Sequence, residues 1–179
     1  PQAVLIGGGV GIPPLVFLAG TLAAQPPAVA FLGSESPFPF SAATAQLPLP
    51  GIPAAASACM PLLEDMGIAS RLASNAGLPG CYSGYVSDLA RSWLETRSAE
   101  ERATMTIYAC GPTPMLRAIK ELAMAFELPS QLCVEEFMAC AVGGCAGCVI
   151  PVMVDGKRQM KRVCVDGPVF DGAAVYASP

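Results

Sequence analysis

The stretch Ala3-Val4-Leu5-Ile6-Gly7-Gly8-Gly9-Val10-Gly11-Ile12-Pro13-Pro14-Leu15 decides the fold. Ala3–Ile6 is an apolar run of strand length, the glycines turn the chain, and Pro13-Pro14 stand where a helix starts. Proline suits that position because the first helical amides have no intrahelical partner to lose. The helix is predicted over Ile12–Ala24 and is closed by Pro26-Pro27. Ala28–Leu32 then reads as a second buried strand ending at Gly33. A strand–helix–strand unit of this length predicts a right-handed parallel crossover.

The alternation continues outward. Gly67–Leu72 reads as a third strand and Ser74–Gly80 as a loop. Val86–Thr96 has helical spacing, with Val86, Leu89, Ala90, Trp93 and Leu94 on one face. Met105–Ala109 is another strand, followed by Cys110-Gly111-Pro112 and a helix over Thr113–Phe126. Ser34–Pro61, rich in Pro, Ser and Ala, has no periodicity that assigns elements. The pattern predicts an α/β fold with a doubly wound parallel sheet over residues 1–129. After Pro129 the character changes. Gln131–Phe137 is strand-like, and a Gly- and Cys-rich loop spans Met138–Cys148. Val149–Val154, the turn Asp155-Gly156 and Gln159–Val165 then read as a hairpin. Residues 130–179 are therefore expected to form a separate, small β-rich module.

Composition narrows the function. Of 179 residues, 53% are hydrophobic and 13% charged, and the mean hydropathy is +0.52. No uninterrupted apolar run reaches the roughly 18 residues of a spanning helix; Ile12–Ala24 is broken by Pro13, Pro14, Gly20 and Thr21. With a net charge of −4, nucleic acid is not the expected main partner. The local cluster Lys157, Arg158, Lys161 and Arg162 reads first as a solvated hairpin face, with partner docking the minority reading. The chain has no histidine, which removes imidazole acid–base chemistry, Ser–His–Asp triads and His-ligated zinc. It opens at Pro1, close before a core strand and with no signal peptide, so preceding sequence and a cytoplasmic location are expected.

The chemistry lies in the cysteines. Cys140 and Cys145 are separated by four residues, Cys145 and Cys148 by two, and Cys164 follows after fifteen more. The C-x4-C-x2-C…C order is the plant-type ferredoxin spacing for a 2Fe–2S cluster. Gly143, Gly144 and Gly147 are expected to supply the positive φ angles and close approach such a wrap needs, and the fourth thiolate is expected from a neighbouring strand. Disulfides fit poorly with a cytosolic α/β protein, and structural zinc favours two C-x2-C-type knuckles. Cys59, Cys81 and Cys133 read as small buried hydrophobes. Cys110 differs: it ends a strand directly before Gly-Pro, where open α/β sheets bind ligands.

The glycine loop can set amides against a pyrophosphate, although Ile12 stands at the third glycine position of G-x-G-x-x-G counted from Gly7. A tight turn without a ligand is the competing reading, and the later Cys110-Gly111-Pro112 shifts the balance toward a dinucleotide site. Glu35, just past the second strand, either accepts ribose hydroxyls and repels a 2′-phosphate or is an ordinary solvated glutamate.

Ile6–Leu15, Cys110-Gly111-Pro112-Thr113-Pro114-Met115, Glu136–Cys148 and Arg162-Val163-Cys164-Val165-Asp166-Gly167-Pro168-Val169-Phe170 together resemble the electron-transfer subunit of two-component dihydroorotate dehydrogenase, a branch of the ferredoxin-reductase superfamily. The resemblance implies an N-terminal FAD-binding β-barrel, an NAD-binding α/β domain and a C-terminal 2Fe–2S module. Electrons would pass from an FMN-containing catalytic subunit through the cluster to FAD and then NAD, in the oxidoreductase step of pyrimidine biosynthesis. It places Gly7, Gly8, Gly9 and Gly11 at the dinucleotide phosphates, with Cys110, Gly111 and Pro112 near nicotinamide and flavin, and Cys110 as the catalytic candidate. Cys140, Cys145, Cys148 and Cys164 become the cluster ligands. The flavin barrel is absent from these residues, so the fragment alone is not expected to be a competent NADH–flavin enzyme. Ser74-Asn75-Ala76-Gly77 stands where a Thr-Asp-Asp-Gly-like stretch is expected, without its carboxylates. The alternatives are a paralogous NAD(P)H-dependent reductase serving another flavoprotein or acceptor, and a non-catalytic nucleotide-binding or interaction module.

Overall fold

In the computed structural model, residues 2–22 and 28–176 are described. The glycine stretch opens as expected. Strand β1, Gln2–Gly8, leads through a 3-10 turn at Gly9–Gly11 into helix α1, Ile12–Leu22. The expected end of that helix at Ala24, and its closure by Pro26-Pro27, lie outside the described residues. Strand β2, Val29–Gly33, returns parallel to β1, with Val4 opposite Val29 and Gly8 opposite Gly33.

The unassigned stretch holds short pieces: β3 (Ala43–Thr44), β4 (Ala58–Cys59) and helix α2 (Pro61–Asp65). Polar contacts hold it where periodicity could not. Glu64 accepts the backbone N–H of Gln46 at 2.8 Å and of Leu47 at 3.2 Å. Arg71, though buried, donates to the Leu47 carbonyl at 2.9 Å.

Beyond it follow β5 (Ala69–Ala73), α3 (Val86–Glu95), the single turn α4 (Ala99–Arg102), β6 (Met105–Cys110) and α5 (Thr113–Ala125). The five apolar residues expected on one face of α3 are all buried. Trp93, 2% exposed, meets Phe31 of β2 with ring centroids 5.7 Å apart. The α4 turn carries no apolar stripe; a capping box between Ser98 and Glu101 holds it instead.

The tail contributes β7 (Ser130–Cys133), β8 (Val149–Val154), β9 (Lys157–Arg162), the helical turn α6 (Val163–Asp166) and β10 (Val169–Asp171). Two expectations fail here. The strand predicted over Gln131–Phe137 ends at Cys133, because Glu135 and Phe137 turn to solvent while the Val134 N–H reaches the Pro168 carbonyl at 2.9 Å. The second hairpin strand ends at Arg162 rather than Val165. Asp166 accepts the Arg162 N–H at 2.7 Å, folding the next four residues into α6.

The main sheet runs β10-β7-β6-β1-β2-β5, parallel throughout except for antiparallel β10. Strands β7 and β10, from the tail, thus join the sheet of the α/β part. Ile150, Val152, Val163 and Val175 share one apolar core with Leu116 and Ile119 of α5. Among the described residues no helix is long and apolar enough to cross a membrane.

Candidate functional site

The parallel strands β1, β2 and β6 end together, and a cavity of about 600 Å³ opens at that edge. Gly8, Gly9, Gly33, Glu35, Tyr85, Pro112 and Met115 are among its walls. The two motifs far apart in sequence are in direct contact. A Cβ on Gly11 would lie 2.0 Å from the Cys110 carbonyl oxygen, and one on Gly111 would lie 3.1 Å from the Gly8 amide nitrogen. Gly9 has φ +51° with no neighbour within 4 Å, so its open side faces solvent.

The residues divide into two sets. Gly8, Gly9 and Pro112 face the cavity. Gly7 packs against Leu15 and Leu32, Gly11 lies on the Cys110 carbonyl, and Cys110 is 8% exposed. These, with Gly111 against Met115 and Gly8, form the support behind the cavity. Ser34, Ser36, Tyr85, Ser87 and Met115 also line it; sequence reasoning did not assign them to the site, although Ser34 and Ser36 lie just past β2 and Tyr85, Ser87 and Met115 at the starts of α3 and α5. Glu35 lies on the exposed rim.

At the far side of β7 the loop of residues 134–148 wraps its cysteines without regular structure. The four thiols gather as two pairs. The Cys140 sulfur is held low, at about 6, by the backbone N–H of Cys145 first, then that of Val142, with the Cys145 thiol and the Gly144 N–H adding to it. Cys148 is also lowered, chiefly by the Cys164 N–H, which reaches its Sγ at 3.5 Å, and by the Cys164 thiol. Cys164 is pushed up by the same contact with Cys148. Gly147 donates to the Cys145 Sγ at 3.3 Å. Amides aimed at sulfur favour the thiolate that a metal needs.

The wrap differs from expectation in its backbone and in its fourth residue. Of the three expected glycines, Gly143 takes a positive φ of 81°, while Ala141 (φ 55°) and Ala146 (φ 54°) occupy the other left-handed positions. Gly147 shows neither need, since a Cβ there would sit at ordinary contact distance, 3.4 Å, from the Cys145 Sγ. Cys164 sits on α6, not on a strand. Arg162 fixes that turn to the loop, donating to the Gly143 carbonyl at 3.0 Å.

Among the described residues no group of three or more His, Cys, Asp or Glu side chains converges as for a single metal ion. Two thiol pairs suit a core with two metal atoms better than one tetrahedral zinc, which needs all four ligands around one point. The remaining cysteines are uncombined, and burial raises Cys59 and Cys81.

Residues 135–176 match a family model, the iron–sulfur cluster binding domain of dihydroorotate dehydrogenase B. Curated relatives named as dihydroorotate dehydrogenase B (NAD(+)), electron transfer subunit, align with almost the whole chain. The Caldanaerobacter subterraneus subsp. tengcongensis protein is 29% identical, over 94% of this chain and 57% of its own. The Listeria welshimeri protein is 33% identical, over 94% and 55%. The Geobacillus kaustophilus protein is 34% identical, over 97% and 57%. The chain spans about half the length of these relatives. A solved NADH-dependent reduced ferredoxin-NADP oxidoreductase, studied for flavin-based electron bifurcation, superposes with a TM-score of 0.71 at 24% identity, covering 97% of this chain and 53% of that one. It shares the fold.

Proposed function

We propose that the chain transfers electrons between a partner flavoprotein and NAD, with residues 135–176, which match the iron–sulfur cluster binding domain of dihydroorotate dehydrogenase B, carrying the cluster. The partner is an FMN-containing dihydroorotate dehydrogenase catalytic subunit, and the setting is cytoplasmic pyrimidine biosynthesis. The observation that carries this reading is the paired thiol set on the loop that leaves β7, in a chain whose β1, β2 and β6 ends open onto a nucleotide-sized cavity.

In this reading Cys140, Cys145, Cys148 and Cys164 would hold the cluster as two thiol pairs, in the cluster-binding part of the chain that begins at residue 130. A 2Fe–2S cluster supplies one-electron transfer, which complements the two-electron chemistry of FAD and NAD. The chain's own residues set the conditions. The amides of Val142, Gly144 and Cys145 stabilise negative charge at Cys140, and the Cys164 amide does so at Cys148. Cys145 is exposed while Cys148 is buried, so the first thiol pair lies nearer to an approaching partner. At the cavity, Gly8 and Gly9 would leave room for a pyrophosphate against backbone, Pro112 closes the wall, and Glu35 on the rim would accept from ribose hydroxyls. Cys110 acts as support for this wall, being buried behind it.

The test is anaerobic purification with metal analysis, followed by mixing with such a catalytic subunit and dihydroorotate. The expected protein is brown, holds two iron and two acid-labile sulfide per chain, and bleaches when dihydroorotate is added. A colourless protein with one zinc per chain, or a brown one that dihydroorotate never bleaches, refutes the proposal.

A further inference from the structure

Strands β6 and β7 end side by side, and their last residues, Cys110 and Cys133, are directly opposed in register. Neighbouring strands lie about 4.8 Å apart, within the Cα separation of about 4.4–6.8 Å that a disulfide spans. Opposed residues of parallel strands project to the same face, and both cysteines pack into the apolar cluster built on α1 and β2. Each thiol shifts the other, Cys110 upward and Cys133 downward, as two neighbouring thiols competing for one negative charge do. The two differ in access: Cys110 is buried and Cys133 partly exposed. Both are free thiols, and neither belongs to the cluster set.

We propose that Cys110 and Cys133 form a reversible two-electron redox pair, closing to a disulfide by exchange with a low-molecular-weight disulfide. Cys133 is the attacking sulfur. Its thiolate attacks one sulfur of the oxidant, the oxidant's S–S bond breaks, a mixed disulfide forms and one small thiol leaves. Cys110 then gives its proton to solvent and attacks the Cys133 sulfur. The mixed disulfide breaks and the second small thiol leaves. Two protein thiols have lost two electrons, and one disulfide has become two thiols.

The contact with Cys110 holds the Cys133 thiol at about 7, against burial and Glu135, which both push it up, whereas burial raises Cys81. Cys133 is therefore the readier thiolate near neutral pH. Its position gives the bond a consequence. Strand β6 runs into Pro112 at the nucleotide cavity, and β7 runs into the cysteine loop at residues 134–148. A covalent tie at the two strand ends fixes one site relative to the other.

The experiment uses the whole chain, prepared without oxygen and exposed at pH 7 to glutathione disulfide. Samples are quenched in acid and alkylated. Trypsin together with a glutamate-specific protease then cleaves at Glu135 or Glu136, separating Cys133 from Cys140, and the peptides are weighed. The expected product is a Cys110–Cys133 linked peptide that excess reduced glutathione reverses. Cys133 should react about fivefold faster than Cys81, after the lower nucleophilicity of the more acidic thiol is allowed for. In Cys110→Ser, Cys133 should stop at the mixed disulfide; in Cys133→Ser, Cys110 should stay alkylatable. A wild-type chain that accumulates the mixed disulfide at Cys133 with Cys110 still free overturns the proposal, as does Cys133 reacting no faster than Cys81. Both wild-type readings decide the matter even if a variant fails to fold.

Discussion

Replacing Gly11 by alanine tests the contact between the glycine turn and the end of β6. The added methyl would lie 2.0 Å from the Cys110 carbonyl oxygen, 2.2 Å from its carbonyl carbon and 2.5 Å from the Gly111 nitrogen. All three are backbone atoms, so no rotamer can relieve the overlap, and normal contact requires the turn to retreat by about 1 Å or more. Yet β1 and β6 are paired from Gln2 opposite Met105 to Gly7 opposite Cys110. Retreat therefore disrupts the end of that ladder. Overpacking costs about 1–3 kcal/mol and a lost backbone hydrogen bond about 1 kcal/mol, giving roughly 2–4 kcal/mol in all. For a chain of this size that is a fall in Tm of roughly 4–16 °C, read by calorimetry or circular dichroism. Gly20→Ala is the control: it lies within α1 with no neighbour within 4 Å, and should gain about 0.5–1 kcal/mol from helix propensity. If Gly11→Ala melts within about 1 °C of the parent chain, the proposed close packing of the two motifs is wrong.

Cys145→Ser should abolish the brown colour and take iron below about one per chain, while the metal-free protein melts within about 0.5 kcal/mol of the parent because Cys145 is exposed. Gly143→Ala should also reduce cluster content, since it forces a side chain at φ 81° and a Cβ 2.5 Å from Val165; iron content equal to that of the parent would contradict this. Glu35→Arg should shift the ratio of NADP to NAD affinity upward by about 5–10-fold, as expected for reversing one rim charge in high dielectric, measured by titration calorimetry. Trp93→Ala should cost about 3–5 kcal/mol in denaturant unfolding, because the ring is 2% exposed and packs on Phe31.

The sequence by itself determined the elements whose burial imposes a period. Strands β1, β2 and β6 lie in the middle of the sheet, so their residues form short apolar runs, and α3 shows its apolar stripe because only one face is covered. It also carried the cysteine spacing, since a loop around a small core constrains residue separation along the chain. Tertiary structure decided what local pattern cannot encode. The 34–60 stretch takes its course from Glu64 and Arg71, two charged groups bonding backbone that lies 17 to 24 residues away. Cys164 rides on a helical turn because Asp166 captures the Arg162 amide. The approach of Cys148 to Cys164, the seating of Gly11 on Cys110 and the opposition of Cys110 to Cys133 all depend on strand register. Register is set by long-range packing, and a single strand read alone carries no record of which residue faces it.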